Sequence, residues 1–209
     1  MATPLGHALA GYSVYVAGSS LKSRPSLLFW FCLLMAIAPD FDFIPGILQG
    51  QPNLYHQGLS HSLGAGLLVS FVAALIVSDG TLWKKWSLLF VAYASHLALD
   101  FFAPDGRPPY GQPLFWPISS EYYFAPTGWQ FLWGVRHAKA TSAPIGDWLS
   151  GILQMQNLGA IAIEALVMIP IVVLVRYFRA RVSSQCQNSL NKNSRYPRAD
   201  LFDPMRNQR

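Results

Sequence analysis

Apolar residues are concentrated in five runs that polar, proline or glycine residues separate. Runs of this composition are typical of buried or membrane-spanning helices, and about 20 such residues are needed to cross a bilayer. The first run is shorter, so it either crosses as a short helix or only enters the membrane. The predicted spans cover residues 7–20, 26–38, 63–78, 86–103 and 158–177. We therefore predict an all-α fold, a polytopic membrane helical bundle with four to five spans.

Two stretches lie outside this pattern. Residues 104–151 are rich in proline, glycine and aromatic side chains, which indicates a long loop between the fourth and fifth spans. After Arg176 the chain turns polar (SSQCQNSLNKNSRYPRAD), a composition typical of a flexible tail. The expected organisation is one membrane-embedded domain over residues 1–180 and a polar, disordered cytoplasmic tail over residues 181–209.

The composition supports a membrane protein. Of the 209 residues, 52% are apolar and 12% are charged, whereas soluble domains carry about 25% charged residues. The two cysteines, Cys32 and Cys186, are too few for a disulfide framework. The stretch MATPLGHALAG has neither a basic n-region nor a cleavage pattern, so we expect no removable signal peptide.

The net charge of +5 follows the ends of the apolar runs. Basic residues stand at Lys22 and Arg24, at Lys84 and Lys85, and from Arg176 onward. With five crossings, twelve of the fifteen Lys and Arg fall on one side of the membrane, which the positive-inside rule assigns to the cytoplasm. We predict a multi-pass inner (plasma) membrane protein with its C-terminus inside and its N-terminus outside, or inside if the first run does not cross. The expected partner is the lipid bilayer and not nucleic acid, since no nucleic-acid-binding motif is present.

Histidine and aspartate residues cluster at the outer ends of these runs. The HLALD stretch places His96 and Asp100 four residues apart, on one face of a helix. Two aspartates follow the second run (APDFD), and two histidines precede the third (HQGLSHS), where Gly58 permits a tight turn and Ser60 is a plausible helix cap. In this topology seven potential ligands share one membrane level: His7, Asp40, Asp42, His56, His61, His96 and Asp100.

Each part of this set has a simpler interpretation when taken alone. A buried His–Asp pair can serve packing, and a Pro-flanked Asp pair can end a helix at the membrane surface. Ionisable residues within spans, however, usually face the bundle interior and mark function. Imidazole and carboxylate groups are also ligands that zinc takes. The convergence of the seven residues therefore indicates a metal site at the outer end of the bundle.

The order of these motifs resembles a known family. The stretches GHALAGY, PDFD, HQGLSHS, HLALD and PLFWPIS are similar to the membrane-bound metal-dependent hydrolases of the YdjM/DUF457 type, over about residues 4–120. The resemblance implies all seven residues as the metal-site set, and a distant similarity to zinc-dependent phospholipase C. Gln57 stands where the family has Arg, which removes a charge, and Ser60 stands where it has Thr, which keeps the hydroxyl.

The chemistry that such a site implies is hydrolysis. A bound zinc ion lowers the pKa of its water to about 7 and so supplies a nucleophile at neutral pH. We expect one or two zinc ions, with manganese as the alternative, and Asp40 or Asp42 as a bridging ligand or general base. The expected substrate is a phosphoester, of a small molecule or a lipid, at the outer membrane interface.

The cluster also admits three alternative interpretations. A metal-free membrane phosphatase is disfavoured because no Ser-Arg pair precedes His96 and no Pro-Ser-Gly-His sequence occurs. The main alternative is a non-enzymatic protein that uses the His/Asp cluster as an ion or proton relay, and the last is a cluster that only orders the helices. Two further ionisable residues are assigned separately: Glu164, in the fifth span, as a helix-pairing or supporting residue, and His137 as part of a basic loop.

Overall fold

The computed structural model describes residues 2–19, 26–78, 80–106, 108–130 and 143–195. These residues form helices joined by turns, and an isolated antiparallel pairing of Gln112 with Tyr123 is the sole β-type contact among them. The predicted all-α class is therefore confirmed. The helices are α1 (Pro4–Gly18), α2 (Leu27–Ile37), α3 (Phe43–Leu48), α4 (Leu63–Ile76), α5 (Leu82–Phe102), α6 (Ile145–Ile152) and α7 (Gln156–Arg195). Short 3₁₀ helices cover Ala38–Asp42, Pro52–Leu54, Leu59–His61 and Thr127–Trp129.

Each of the five apolar runs forms a helix, namely α1, α2, α4, α5 and α7, but several boundaries differ from the prediction. The break expected at Pro39 is a change of helix type, because proline is tolerated in the first turn of the 3₁₀ helix Ala38–Asp42. The last helix continues to Arg195, the last described residue, and does not stop near Tyr177, since no glycine or proline interrupts residues 171–195. The predicted tail thus begins inside α7, and residues 196–209 lie outside the described part of the chain.

Hydroxyl side chains cap the N-terminal ends of three of the helices. The Thr3 hydroxyl accepts the N–H of Gly6 at the start of α1, where Pro4 supplies the first helical residue. Ser26 caps α2 in the same way. At α4 the cap is Ser62, whose hydroxyl accepts the N–H of Ala65 at 3.1 Å. The expectation that Ser60 caps this helix is wrong, because the 3₁₀ helix Leu59–His61 precedes α4 and directs Ser60 elsewhere.

Helix α1 is the centre of the bundle. It packs on α2, α5 and α7, while α5 also packs on α2 and α4. Gly11 lets α1 approach α2 closely, since a Cβ at this position would lie 2.6 Å from the carbonyl oxygen of Cys32. The core around this contact holds Tyr15, Cys32, Leu89 and Tyr93, all 6% exposed or less.

Within the described part of the chain, two helical segments are long and apolar enough to cross a membrane, Leu27–Leu48 and Gln156–Cys186. The first combines α2, the 3₁₀ helix and α3, and the second is the larger part of α7. Only 28% and 17% of their most apolar stretches are buried within the protein, so both leave apolar side chains facing outward. Water would disfavour such a surface, whereas lipid accommodates it.

The long segment after α5 docks on the start of α4. The N–H of Leu63 donates to the carbonyl of Leu114 at 2.9 Å, and the N–H of Gly64 donates to that of Trp116 at 3.2 Å. These bonds occupy donors in the first turn of α4 that have no partner within the helix. The segment thereby closes one side of the end of the bundle where α4 begins.

Candidate metal centre

Helix ends bring the seven predicted residues to one end of the bundle. His7 lies in the first turn of α1, and His96 and Asp100 lie in the last two turns of α5. The other residues come from the two 3₁₀ helices Ala38–Asp42 and Leu59–His61, or, for His56, from the turn between Leu54 and Leu59. All seven side chains are at most 10% exposed. The predicted convergence at one level of the bundle is thus what the structure contains.

Four side-chain atoms from these residues, here called the four-atom group, surround a common point. They are Asp40 Oδ1, His61 Nε2, His96 Nε2 and Asp100 Oδ2. His61 Nε2 lies 3.7 Å from the Asp40 atom, 3.6 Å from the Asp100 atom and 3.3 Å from the His96 atom. The His96 atom lies 3.6 Å from that of Asp40 and 3.4 Å from that of Asp100. Ligands placed tetrahedrally about 2.1 Å from a zinc ion are about 3.4 Å apart.

The two carboxylate atoms of this group are otherwise unsupported. Asp40 Oδ1 and Asp100 Oδ2 are buried, and neither accepts a hydrogen bond. Buried carboxylate oxygens without partners are costly unless a cation or a donor meets them. The residues therefore fit a divalent cation held by two histidines and two aspartates.

Backbone and carboxylate groups orient the two histidines. His96 Nδ1 lies 2.9 Å from the carbonyl oxygen of Ala36, so it must carry the proton and leave Nε2 with its lone pair facing the group. His61 Nδ1 lies 3.1 Å from Asp42 Oδ2 and 3.2 Å from the hydroxyl of Ser60. A carboxylate behind a ligating histidine is a recurrent support of zinc sites.

Asp42 lies on the far side of His61 from the four-atom group. Its Oδ1 is 3.0 Å from His56 Nδ1, and its Oδ2 accepts the hydroxyl hydrogen of Ser60 at 2.9 Å. Asp42, His56 and His61 form a second set with ligand-like spacing. Their short distances are those of hydrogen bonds, which favours an orienting role for Asp42 and His56 over direct ligation.

His7 borders the group without belonging to it. Its ring stacks on that of His96 with centroids 3.7 Å apart. Both of its ring nitrogens are buried without a hydrogen-bond partner, and Nε2 lies 3.5 Å from Asp100 Oδ1. His7 is thus placed to add a further nitrogen on the α1 side of the site.

The pKa shifts of His56 and His61 reflect burial and the negative charge of the carboxylates around them. Burial lowers the pKa of His56 below its ordinary value, and the hydrogen bond with Asp42 opposes this only in part. Burial acts the same way on His61, but the neighbouring carboxylates of Asp100, Asp40 and Asp42 outweigh it and hold the pKa of His61 well above its ordinary value. Carboxylates that favour a buried positive charge here would also favour a divalent cation.

A cavity of about 520 Å³ lies beside the stretch HQGLSHS, residues 56–62, here called the histidine loop. Asp42, His56 and Ser60 form part of its wall, and apolar or aromatic residues such as Leu54, Tyr55 and Tyr122 form another part. Leu54, Tyr55 and Tyr122 are each at least 36% exposed. The cavity therefore joins the polar surroundings of His61 to an apolar outer surface.

Several contributors were not found from the sequence. Tyr93 donates its hydroxyl hydrogen to the carbonyl of Ser60 and so fixes the histidine loop to α5. Its position three residues before His96, on the same helix face, is the signal that could have identified it. Gln57 adopts a φ of 60°, a left-handed conformation that no sequence pattern indicated. His137 lies outside the described residues.

Glu164 is buried and faces α1, 1% exposed. It accepts hydrogen bonds from the backbone N–H and the hydroxyl of Thr3. The predicted helix-pairing role is consistent with these contacts, since they connect α7 with the beginning of α1.

Comparison with known proteins bears on the family. No curated protein and no solved structure matches the chain, so the expected similarity to zinc-dependent phospholipase C is not shown. The family model described as YdjM inner membrane protein matches residues 1–182. This range contains all seven site residues and every motif that carried the resemblance, and the chain therefore belongs to the YdjM inner membrane protein family.

Proposed function

We propose that the protein is a membrane-bound metal-dependent hydrolase that acts on a phosphoester. The observation that carries the proposal is the four-atom group, in which two imidazole nitrogens and two unpartnered carboxylate oxygens lie 3.3 to 3.7 Å apart. Hydrolytic metal sites also need access for water and substrate, and the cavity lined by Asp42, His56 and Ser60 lies on the Asp42 side of His61.

The kinds of ligand atom in the four-atom group indicate which metal ion the site would bind. Two imidazole nitrogens and two carboxylates suit zinc best, and manganese is the alternative. A single ion satisfies the four-atom group, while His7 stays available as a further ligand. When bound, such an ion lowers the pKa of its water to about 7.

The two aspartates take different roles in this proposal. Asp40 contributes an oxygen to the four-atom group and is a ligand. Asp42 lines the cavity and holds His61 from behind, so its role in the proposal is to orient that histidine. His56 and Ser60 orient Asp42 through bonds to its two oxygens.

We propose the finer membrane topology on charge and helix length. Helix α5 has 21 residues and is about 31 Å long, enough for a span, whereas α1 and α4 reach only about 22 Å and 21 Å. Crossing by four to five helices places most Lys and Arg inside, with the C-terminus cytoplasmic and the metal centre at the outer interface. A lipid phosphoester is then within reach of the cavity, as is a small soluble one.

The test begins with metal content. Full-length protein purified in detergent is analysed by plasma mass spectrometry and assayed for hydrolysis of bis(p-nitrophenyl) phosphate and of phospholipid vesicles. We expect about one equivalent of zinc or manganese, absent from Asp40→Asn and His96→Ala. Asp105→Asn is the matched control, since the Asp105 carboxylate accepts the N–H of Gly111, away from the four-atom group.

Two outcomes would contradict the proposal. A folded wild-type protein that binds neither metal after reconstitution would remove its basis. Metal binding without hydrolysis of any phosphoester would instead favour the alternative, in which the cluster serves as an ion or proton relay.

A further inference from the structure

We propose that Glu164 is a positioning residue of the metal centre, acting through the backbone of Ala2 and Thr3. This inference rests on the proposed metal-binding function of the site. Glu164 lies in the apolar span of α7 and outside both sets of ligand-like residues. A carboxylate is expensive in such a span unless it performs a task, and its contacts indicate which task.

The Glu164 carboxylate is seated against the beginning of α1. The N–H of Thr3 lies 2.8 Å from its Oε1 and 2.9 Å from its Oε2, and the Thr3 hydroxyl donates to Oε2. Gly6 makes room for it, because a Cβ there would clash with Oε2. The beginning of a helix attracts a carboxylate because its first N–H groups lack partners and its dipole is positive there.

The residue before Thr3 connects this contact with the metal centre. The N–H of Ala2 donates to Asp100 Oδ1 at 2.6 Å. The other oxygen, Oδ2, belongs to the four-atom group. Two consecutive N–H groups thus hold two buried carboxylates from different helices, Glu164 on α7 and Asp100 on α5. Because Glu164 holds Thr3, the N–H of the preceding residue, Ala2, is held in place as well. This N–H bonds to Asp100 Oδ1 and so orients Asp100 Oδ2 toward the other atoms of the four-atom group.

A purely structural role would be limited to docking α7 on α1. The opposite end of the same interface has such a connection, where the Arg179 guanidinium donates two hydrogen bonds to the carbonyl of Ser19, at 3.2 and 3.0 Å. It joins the same two helices but lies at the far end of α1 from the four-atom group. Arg179→Gln is therefore the matched control for Glu164→Gln.

The experiment compares metal affinity in the full-length protein. Wild type, Glu164→Gln and Arg179→Gln are titrated with Zn²⁺ against a chromogenic chelator, and the visible absorption spectrum of each Co²⁺-substituted protein is recorded. A glutamine offers one acceptor oxygen in place of two, so Thr3 and Ala2 shift. We expect about a tenfold loss of affinity for Glu164→Gln, the lower end of the range for residues that support ligands, and an altered Co²⁺ spectrum. Arg179→Gln should keep wild-type affinity and spectrum.

The outcomes separate this inference from the proposed function. Absence of metal from the wild type would overturn the proposed function itself. Wild-type affinity and spectrum in Glu164→Gln, or equal losses in both variants, would overturn the positioning role while leaving the metal site intact. If Glu164→Gln does not fold, Thr3→Ala removes the hydroxyl's bonds to Glu164 and to the N–H of Gly6 but keeps the backbone N–H of Thr3. It should weaken binding severalfold, with recovery in Thr3→Ser, and unchanged binding in Thr3→Ala would refute the inference.

Discussion

Replacing Asp42 by Asn separates an orienting role from direct metal ligation. Asp42 uses one oxygen for His56, at 3.0 Å, and the other for His61 and Ser60, at 3.1 and 2.9 Å. An asparagine of the same shape has one acceptor oxygen and one NH₂ group. Because the two histidines use different oxygens, the amide must turn its NH₂ toward one of them, and that histidine loses its acceptor.

The size of the effect follows from where Asp42 stands. If it only holds His61 from behind, its loss should weaken metal binding about 10- to 100-fold, which corresponds to about 1.4 to 2.7 kcal/mol. Removing a ligand of the four-atom group by Asp40→Asn should cost more than that, because the negative charge and a direct metal contact disappear together. The order of affinities should therefore be wild type, then Asp42→Asn, then Asp40→Asn.

The assay is competition of each purified variant with a zinc chelator of known affinity, with Asp105→Asn as the control for loss of a carboxylate elsewhere. Circular dichroism before and after titration checks that the helices are intact. Loss of metal from Asp42→Asn as complete as from Asp40→Asn would show that Asp42 is a ligand, and wild-type affinity would show that it does not support His61. Either result refutes the arrangement argued from these distances.

Further predictions concern metal and packing. Removing the ion with a chelator should lower the thermal unfolding midpoint, since free metal at 100 times its Kd adds about 2.7 kcal/mol of stability; an unchanged midpoint would argue against a bound ion. Gly11→Ala should cost about 1 to 3 kcal/mol, because its Cβ would lie 2.6 Å from the Cys32 carbonyl oxygen. Gly146→Ala in α6, with no atom within 4 Å of the new Cβ, should cost none, and equal losses would contradict the packing argument. Ser62→Ala should lose about 1 kcal/mol with metal affinity unchanged, as expected for the cap of α4; the stability changes are measured by thermal melts in detergent.

Much of the helical framework could be predicted because it depends on local composition. Long apolar runs formed α1, α2, α4, α5 and α7, and the four-residue spacing of His96 and Asp100 placed both on the buried face of α5. The predicted end of the last helix, near Tyr177, was wrong because a polar composition does not by itself stop a helix. The helix also continues through Pro170, and no other proline or glycine occurs from there to Arg195.

The roles of the two aspartates could not be predicted, because they depend on helix type. A 3₁₀ helix turns about 120° per residue, so the side chains of residues two apart point in directions about 120° apart. Asp40 and Asp42 stand two apart in such a helix and contact opposite nitrogens of His61, at 3.7 Å for Nε2 and 3.1 Å for Nδ1. From the sequence, both aspartates looked like equivalent ligands at a helix end.

The placement of the site at the end of the bundle has a physical reason. In mid-membrane every backbone group is bonded within its own helix, so orienting groups for a metal ligand must come from other side chains. At helix ends the first N–H groups and the last carbonyls are free. Here the N–H of Ala2 takes one oxygen of Asp100, and the carbonyl of Ala36, in the last turn of α2, fixes the proton of His96. Two candidate ligands, Asp100 and His96, are thus oriented by backbone that no side-chain substitution removes directly, and Glu164 and Asp42 are the side chains through which that arrangement can be tested.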